Sequence, residues 1–222
     1  MKEKKQGSEK LKKSGFTLVE LIVVVALMGI LGLIFTNTLI QTLRGQNKVK
    51  VINEVKQNGQ TILDRLTNDI RQAEKIVCRG KNLANAVYPE NAFDTIVIVK
   101  AGTYTRFRLI VETEGSNGYI QRDEFTAEDI ANPDEEILLC SNSVGQETAY
   151  ALSDKDPVNG VSLSYDGLNP VFNSESPLPG YSDVVVIKFR ASEGVKAGNF
   201  FESSLTEGGL LFSTKVLVKG GK

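Results

Sequence analysis

The sequence has no histidine and no tryptophan, and its 222 residues include only two cysteines. Without histidine the chain cannot build a Ser-His-Asp or Cys-His catalytic site, a His-ligated zinc site or a two-His iron site. Two cysteines are too few for a four-thiolate zinc site, a cysteine-held iron–sulfur cluster or a disulfide-dense scaffold. We therefore assign no catalytic residue, no metal site and no cofactor, and we expect a protein that is not an enzyme.

Neither sign of charge is in excess, because 26 Lys and Arg stand against 27 Asp and Glu, for a net charge of −1. A chain that binds nucleic acid over a broad face carries a clear excess of basic residues, so no nucleic-acid partner is predicted. The average conceals a strong segregation, since residues 1–15 contain six Lys and two Glu. The other 207 residues carry 20 basic and 25 acidic side chains, a net charge of −5.

Charged side chains are missing altogether from Leu21 to Leu43. Within residues 16–35, sixteen of the twenty residues are apolar. A helix of this length spans about 30 Å, the thickness of the hydrocarbon core of a bilayer, so residues 16–35 are predicted to be the transmembrane half of a helix. The lysines before it predict that the N-terminus stays in the cytoplasm and that the rest of the chain is exported.

Three interpretations of this apolar segment compete. A secretory signal peptide has a shorter apolar core and a cleavage site of small residues, which this segment lacks. A plain signal anchor fits the length and the charge but leaves Glu20 unexplained, because an ionised carboxylate inside an apolar span costs about 2–3 kcal/mol. The third interpretation treats Gly15 to Glu20 as one motif for processing and assembly.

The stretch KKSGFTLVELIVVVALMGIL resembles the N-terminus of type IV prepilins and of the pseudopilins of type II secretion and competence systems. The resemblance implies that a prepilin peptidase cleaves between Gly15 and Phe16 and methylates the new amino group of Phe16. It also implies that Glu20 neutralises the terminal amine of a neighbouring subunit when the helices bundle inside a filament. On one helix Phe16 and Glu20 would lie about one turn apart, and pairing an amine with a carboxylate removes two unpaired buried charges together.

The same resemblance implies partners and a location. The partners are the prepilin peptidase, other major and minor pilins or pseudopilins, and the cytoplasmic membrane, and the head reaches a cell-surface or periplasmic filament. Leu66–Ile76 and the closing FSTKVLVKGGK resemble minor pilins of the W type and pseudopilins of the J type, whereas the K-type tip pseudopilin lacks an acid at the position of Glu20. A pilus, a secretion pseudopilus and a competence system stay open. So does a signal-anchored binding or adhesive domain, including a minor pilin for DNA uptake.

The helical pattern continues beyond the membrane segment. No proline occurs before Pro89, and apolar residues recur at steps of three and four as far as Val77, while the other face is charged. We predict one helix over residues 16–77, ended by a basic last turn and Gly80. The glycines at which it could bend are Gly29, Gly32, Gly45 and Gly59.

After Gly80, short apolar runs alternate with turns rich in Gly, Pro, Asn and Asp, a pattern typical of β-strands. Residues 78–222 are predicted to form a β-rich globular head, with a hairpin loop at 114–118. The expected fold class is α+β, a pilin-like long N-terminal helix packed on an antiparallel β-sheet head, after a cleaved leader of residues 1–15. The predicted strands are Thr95–Lys100, Tyr104–Glu112, Tyr119–Arg122, Ile137–Cys140, Val161–Tyr165, Val184–Arg190 and Leu210–Val218.

The two cysteines, Cys78 and Cys140, lie 62 positions apart, one at the predicted helix end and one in a predicted strand. An exported head permits a disulfide between them, and closing that loop would contribute about 4 kcal/mol. Two buried free thiols are the alternative. The sequence leaves both states open.

Acidic residues cluster at Asp123–Glu136 and in DKDPVNG at Asp154–Gly160. The first is predicted to be a solvated loop, the second lacks the offsets of an EF-hand, and no calcium ligand is assigned. Tyr104, Arg106 and Arg108 alternate on one predicted strand and are interpreted as a solvated face rather than a nucleic-acid surface. A two-carboxylate glycosidase is compatible with the composition, but no spacing singles out a pair.

Overall fold

The computed structural model describes most of the chain from Gly15 onward, and the structural statements below refer to these residues. They divide into two compact units between Lys48 and Val49, and each unit is considered by itself. The predicted α+β layout, a long N-terminal helix followed by antiparallel sheets, is confirmed. The described residues are 15–80, 92–113, 115–126, 139–140, 149–166, 171–175, 183–197 and 208–219.

One helix, α1, spans Leu18–Gln72 and runs through all four of its glycines without an interruption. The predicted end at Val77 is wrong, because the chain leaves the helix after Gln72. Ala73 is fully buried, and its N–H donates to the carbonyl of Ile70 at 3.2 Å, which closes the last turn tightly. The apolar residues after Gln72 therefore belong to a strand. Over so few positions, the alternation of a strand resembles the spacing of three and four residues that is typical of a helix.

The strands confirm most of the predicted ones, with small shifts at their ends. The exception is Ile137–Cys140, of which residues 137 and 138 lie outside the described part, while Leu139 and Cys140 form a turn. Four strands were not predicted: Lys75–Gly80, Ala92–Phe93, Tyr150–Ala151 and Phe172–Glu175. The ten strands among the described residues are β1 (Lys75–Gly80), β2 (Ala92–Phe93), β3 (Thr95–Lys100), β4 (Thr103–Ile110), β5 (Tyr119–Thr126), β6 (Tyr150–Ala151), β7 (Val161–Ser164), β8 (Phe172–Glu175), β9 (Val184–Glu193) and β10 (Leu210–Leu217).

The strands form two antiparallel sheets. Sheet A has the order β1-β3-β4-β5-β6, and sheet B has the order β10-β9-β8-β2, with β7 also paired to β9. The predicted hairpin loop joins β4 to β5, which pair from Thr103↔Thr126 to Ile110↔Tyr119. Apolar residues of α1 beyond Val49 share one core with both sheets; among them are Ile62, Leu66, Ile70, Phe107, Ile120, Ile187 and Phe189. The second part of α1 is thus the central core element of the head.

Gly59 lies where α1 meets sheet B, and it is a packing position rather than a bend. A Cβ atom at Gly59 would lie 2.3 Å from Cζ of Phe212. Phe212 is itself buried, and its ring stacks on that of Phe189 with the centroids 5.5 Å apart. The ring therefore has little room to retreat, and only glycine allows this close approach.

We expect Gly59→Ala to lower the free energy of unfolding of the head by about 1–3 kcal/mol because of overpacking against Phe212. This reverses the usual preference of about 1 kcal/mol for Ala over Gly in a helix. Urea unfolding of the two proteins measures the difference. Gly45→Ala is the matched control, since a Cβ there would have no neighbour within 4 Å in the described part of the chain outside its own helix backbone. Equal effects of the two substitutions would contradict the packing role.

A buried ion pair lies on the face of sheet A opposite the core that the sheet shares with α1. Two predictions about its residues are wrong. Arg106 and Asp123, both expected to be solvated, are directly opposed on β4 and β5 and are both 0% exposed. Arg106 Nε donates to Asp123 Oδ2 at 2.7 Å, and Arg106 Nη1 donates to the carbonyl of Leu139 at 3.0 Å. Gln121 donates to Asp123 Oδ1 at 2.8 Å. This set of partners makes the burial of both charges tolerable.

The segment Leu139–Cys140 covers this face of sheet A. A disulfide bond joins Cys140 to Cys78, which lies in β1 and not at a helix end. A Cβ at Gly80 would lie 2.4 Å from the carbonyl oxygen of Cys140, so the segment packs directly against the backbone of Gly80, where a side chain would not fit. Leu139 and Cys140 pack with Val97 and Phe125 into a small core separate from that under α1. The disulfide and the ion pair therefore hold the same short segment.

On sheet B, the carboxylate of Asp166 forms ion pairs with two basic residues of β9. Arg190 Nε donates to Asp166 Oδ1 at 2.9 Å, and Lys188 pairs with Oδ2. The hydrogen bond from Lys188 lowers the pKa of Asp166 below its usual range; burial opposes this, and Arg190 lowers the pKa further. Because the native pKa lies below the unfolded value, this carboxylate stabilises the head at neutral pH, and its contribution is lost as the pH falls through the native pKa.

We expect Asp166→Asn to lower the free energy of unfolding by about 1.5–3 kcal/mol at neutral pH, since charge-assisted hydrogen bonds are lost. As the pH falls below the ordinary carboxyl pKa of about 4 toward the lower native pKa, the original protein progressively loses the same contribution. The gap between the two urea midpoints should therefore narrow between about pH 7 and pH 3. A gap that is the same at both pH values would exclude this linkage.

Candidate functional site at the start of the long helix

The start of α1 is built by Thr17 and Glu20. The N–H of Leu21 donates to the carbonyl of Thr17 at 3.2 Å, and the N–H of Glu20 donates to Thr17 Oγ1 at 3.3 Å. Thr17 is thus the N-cap, and Thr-x-x-Glu is the spacing of a capping box. Glu20 also lies in the first turn, where a negative charge interacts favourably with the helix dipole. The role of Thr17 was missed in the sequence, although the Thr-x-x-Glu spacing was its signal.

The bond between Gly15 and Phe16 lies just before this cap. Phe16 is 80% exposed, and apart from the chain neighbours no atom of the described residues lies within 4 Å of a Cβ placed at Gly15. The predicted helix start at Phe16 is two residues early, so Phe16 lies just outside α1 whereas Glu20 lies within it. The geometry leaves this peptide bond accessible, with the capped helix end beginning directly after it.

Between Leu21 and Leu43 the helix that follows carries no charged side chain on any side. Its most apolar 18 residues have a mean hydropathy of 2.9, and none of them is buried. By length and composition it is the one helix among the described residues that could cross a membrane. A helix that is apolar all round needs lipid or other apolar helices around it.

Three threonines lie in the uncharged stretch beyond the most apolar residues. Their hydroxyls donate to the carbonyls four residues earlier, from Thr36 to Gly32 at 2.8 Å, from Thr38 to Ile34 at 2.9 Å and from Thr42 to Thr38 at 2.8 Å. These hydroxyls are satisfied within the helix and need no outside partner. The low-polarity surface of α1 therefore extends toward Leu43.

The acidic segment Asp154–Gly160 is organised as a turn. Asp154 Oδ1 accepts the N–H of Asp156 at 2.9 Å, and Asp156 Oδ1 accepts that of Val158 at 2.8 Å. Hydrogen bonds from the backbone of Val158 and from Asn159 lower the pKa of Asp156. Within the described residues no group of three or more His, Cys, Asp or Glu side chains could hold a metal ion. These carboxylates accept backbone N–H groups, as Asx turns do.

The remaining acidic cluster is only partly described. Asp123 to Thr126 lie in β5, which corrects the predicted loop at its start, and residues 127–136 lie outside the described part. The predicted solvated basic face is also wrong at Arg106, which is buried against Asp123. A buried guanidinium cannot contact a nucleic-acid phosphate, so the face offers no basic patch built on Arg106.

Comparison with known proteins identifies a known sequence motif at this site. A sequence-family model described as the prokaryotic N-terminal methylation motif matches residues 10–36. No curated protein and no solved structure matches the chain. The chain therefore carries the type IV prepilin-like signal, as predicted from Gly15, Phe16 and Glu20. This motif followed by the apolar helix is the arrangement of a type IV pilin-like or pseudopilin-like precursor.

Proposed function

We propose that the chain is a minor pilin or pseudopilin of a type IV pilus or of a type II secretion or competence pseudopilus. A prepilin peptidase cleaves it on the cytoplasmic side between Gly15 and Phe16 and methylates the new amino group. The apolar helix stores the subunit in the cytoplasmic membrane, with the head exported, until it joins other pilins in a filament. The observation that carries this proposal is the methylation motif over residues 10–36, which contains the bond between Gly15 and Phe16 together with the capped start and the apolar first part of α1.

In this proposal Glu20 has two roles. In its own chain it lies in the first turn of α1, where its negative charge interacts favourably with the helix dipole, and in the filament it neutralises the amine of Phe16 in a neighbouring subunit. The second role follows from the cost of a buried charge without a partner, about 3–5 kcal/mol. The neighbouring carboxylate would also set the register between subunits, as buried polar groups do in coiled coils.

We expect Glu20→Ala to leave cleavage intact and to reduce incorporation into filaments tenfold or more, because the buried amine loses its partner. The measurement is the amount of the variant in sheared or pelleted filaments, relative to the processed chain in the membrane. Thr17→Ala is the matched control, since it removes only the cap, which is worth about 1 kcal/mol. Normal incorporation of Glu20→Ala, or equal losses for both variants, would refute the inter-subunit role.

A signal-anchored binding or adhesive domain is the alternative. The position of Glu20 at the start of the helix would then be enough to explain this carboxylate, and the bond between Gly15 and Phe16 would stay uncut. An uncut chain that is never found in filaments, but is retained on the membrane with its head exported, would favour that alternative over the pilin assignment.

A further inference from the structure

Strand β10 forms one edge of sheet B. It pairs with β9 over eight residues, from Leu210↔Ala191 to Leu217↔Val184, without a shift in register. Among the described strands it pairs with no other, so its second row of backbone N–H and C=O groups faces away from the sheet. Natural edge strands are usually protected by bulges, proline or several charges. Apart from Lys215, β10 has none of these.

The outer side of β10 is unusually apolar for an edge. Leu211 is 47% exposed and Leu217 is 58% exposed, with the exposed Ser213 and Lys215 between them. The alternate residues face the core and include the buried Phe212. Because the strand alternates so regularly, a second strand placed at this edge would extend both the core face and the outer face of sheet B.

We propose that the edge of β10 binds the same strand of a second copy of this chain, antiparallel and centred on Thr214. In that register Leu211 lies opposite Leu217 of the second copy, and Ser213 lies opposite Lys215. The twofold symmetry repeats each pair, so the four exposed leucines of the two β10 strands are paired across the junction. The interface is a single continuous sheet across two heads.

Neighbouring registers are less favourable. A shift of one residue would place the outer face of one copy beside the core face of the other. Centring the pair on Lys215 would oppose two lysines, and like charges directly opposite are destabilising. Centring it on Ser213 would oppose Lys215 to Leu211 and leave Leu217 without an apolar partner. Among the registers centred on Ser213, Thr214 and Lys215, only the one centred on Thr214 pairs leucine with leucine and separates the lysines.

This pairing concerns the head and goes beyond the proposed role in a filament, since it requires neither cleavage nor Glu20. The test is disulfide cross-linking of the full chain in detergent micelles, with an equimolar mixture of two single variants, Ser213→Cys and Lys215→Cys. In the proposed register the thiol introduced at position 213 of one copy faces the thiol introduced at position 215 of the other. Two identical variants would place their thiols two positions out of register, beyond the roughly 7 Å limit between Cα atoms that a disulfide spans.

Mild oxidation should give a covalent dimer in the mixture and at least fivefold less in either variant alone. Dimer at equal levels in all three samples, or in none, would overturn the proposal. Association through the membrane helices alone would give equal levels, so it is distinguished from the sheet junction.

A second pair of variants tests the register without cysteine. Ser213→Glu should tighten the dimer several-fold, because it opposes Lys215 of the second copy, and Ser213→Lys should weaken it several-fold. Both changes are on an exposed side chain, and unchanged thermal unfolding of the head verifies that the fold is retained. Dimer affinities that do not separate in this order would overturn the register.

Discussion

Asp123→Ala is expected to lower the free energy of unfolding of the head by about 3–5 kcal/mol, the largest effect of any single substitution considered. The substitution leaves the guanidinium of Arg106 fully buried without its carboxylate. Its other described contacts, the carbonyl of Leu139 and the ring of Phe125 at 4.9 Å, do not carry a compensating negative charge. Urea unfolding followed by circular dichroism measures the loss.

Two control variants distinguish the cost of an uncompensated buried charge from the cost of losing an ion pair or packing contacts. Glu54→Ala removes an exposed ion pair, in which the side chain of Lys50 is 75% and that of Glu54 54% exposed, and should cost less than about 0.5 kcal/mol. Arg106→Met combined with Asp123→Leu removes both charges together and should be much milder than Asp123→Ala. If the double variant is as unstable as Asp123→Ala, the cost comes from lost packing and not from an uncompensated charge.

Replacing both Cys78 and Cys140 with serine is expected to cost about 4 kcal/mol, since the disulfide closes a loop of 62 residues in the unfolded chain. The original protein unfolded in reductant should lose about the same amount. Alkylation followed by intact-mass measurement reports the state of the purified chain. Two alkylated thiols before reduction would show that the cysteines are free and would contradict the bond.

The two predictions are coupled, because both act on Leu139–Cys140. The disulfide anchors Cys140 to β1, and Arg106 binds the carbonyl of Leu139. A double-mutant cycle between Asp123→Ala and the cysteine pair should therefore be non-additive by about 0.5–3 kcal/mol. Strict additivity would mean that the ion pair does not depend on the covering segment.

The N-terminal part of the molecule was the most predictable from the sequence. A long apolar run without charge specifies a helix by its length and composition, whatever surrounds it. The motif from Gly15 to Glu20 was likewise recognisable, because its meaning lies in the order of adjacent residues. What was missed there, the cap at Thr17, is also local and could have been found from its spacing to Glu20.

The errors in the head have a common physical cause. Arg106 and Asp123 were placed in solvent because charged residues are almost never fully buried unless they are paired. Their partnership joins two strands, and their cover comes from Leu139, 33 positions further along the chain from Arg106. The end of α1 was misplaced for a related reason. Glu74 donates its N–H to the carbonyl of Val99 at 2.8 Å, and such a distant partner cannot be inferred from local periodicity.

The most direct test of the central claim is N-terminal mass spectrometry of the chain recovered from the membrane fraction. We expect a mature chain that begins at Phe16 and carries a methyl group on its α-amine. Gly15 supplies the carboxyl side of the cut, and the basic residues 1–15 are released. A chain that still begins at Met1, or that begins at a residue other than Phe16, would contradict the account.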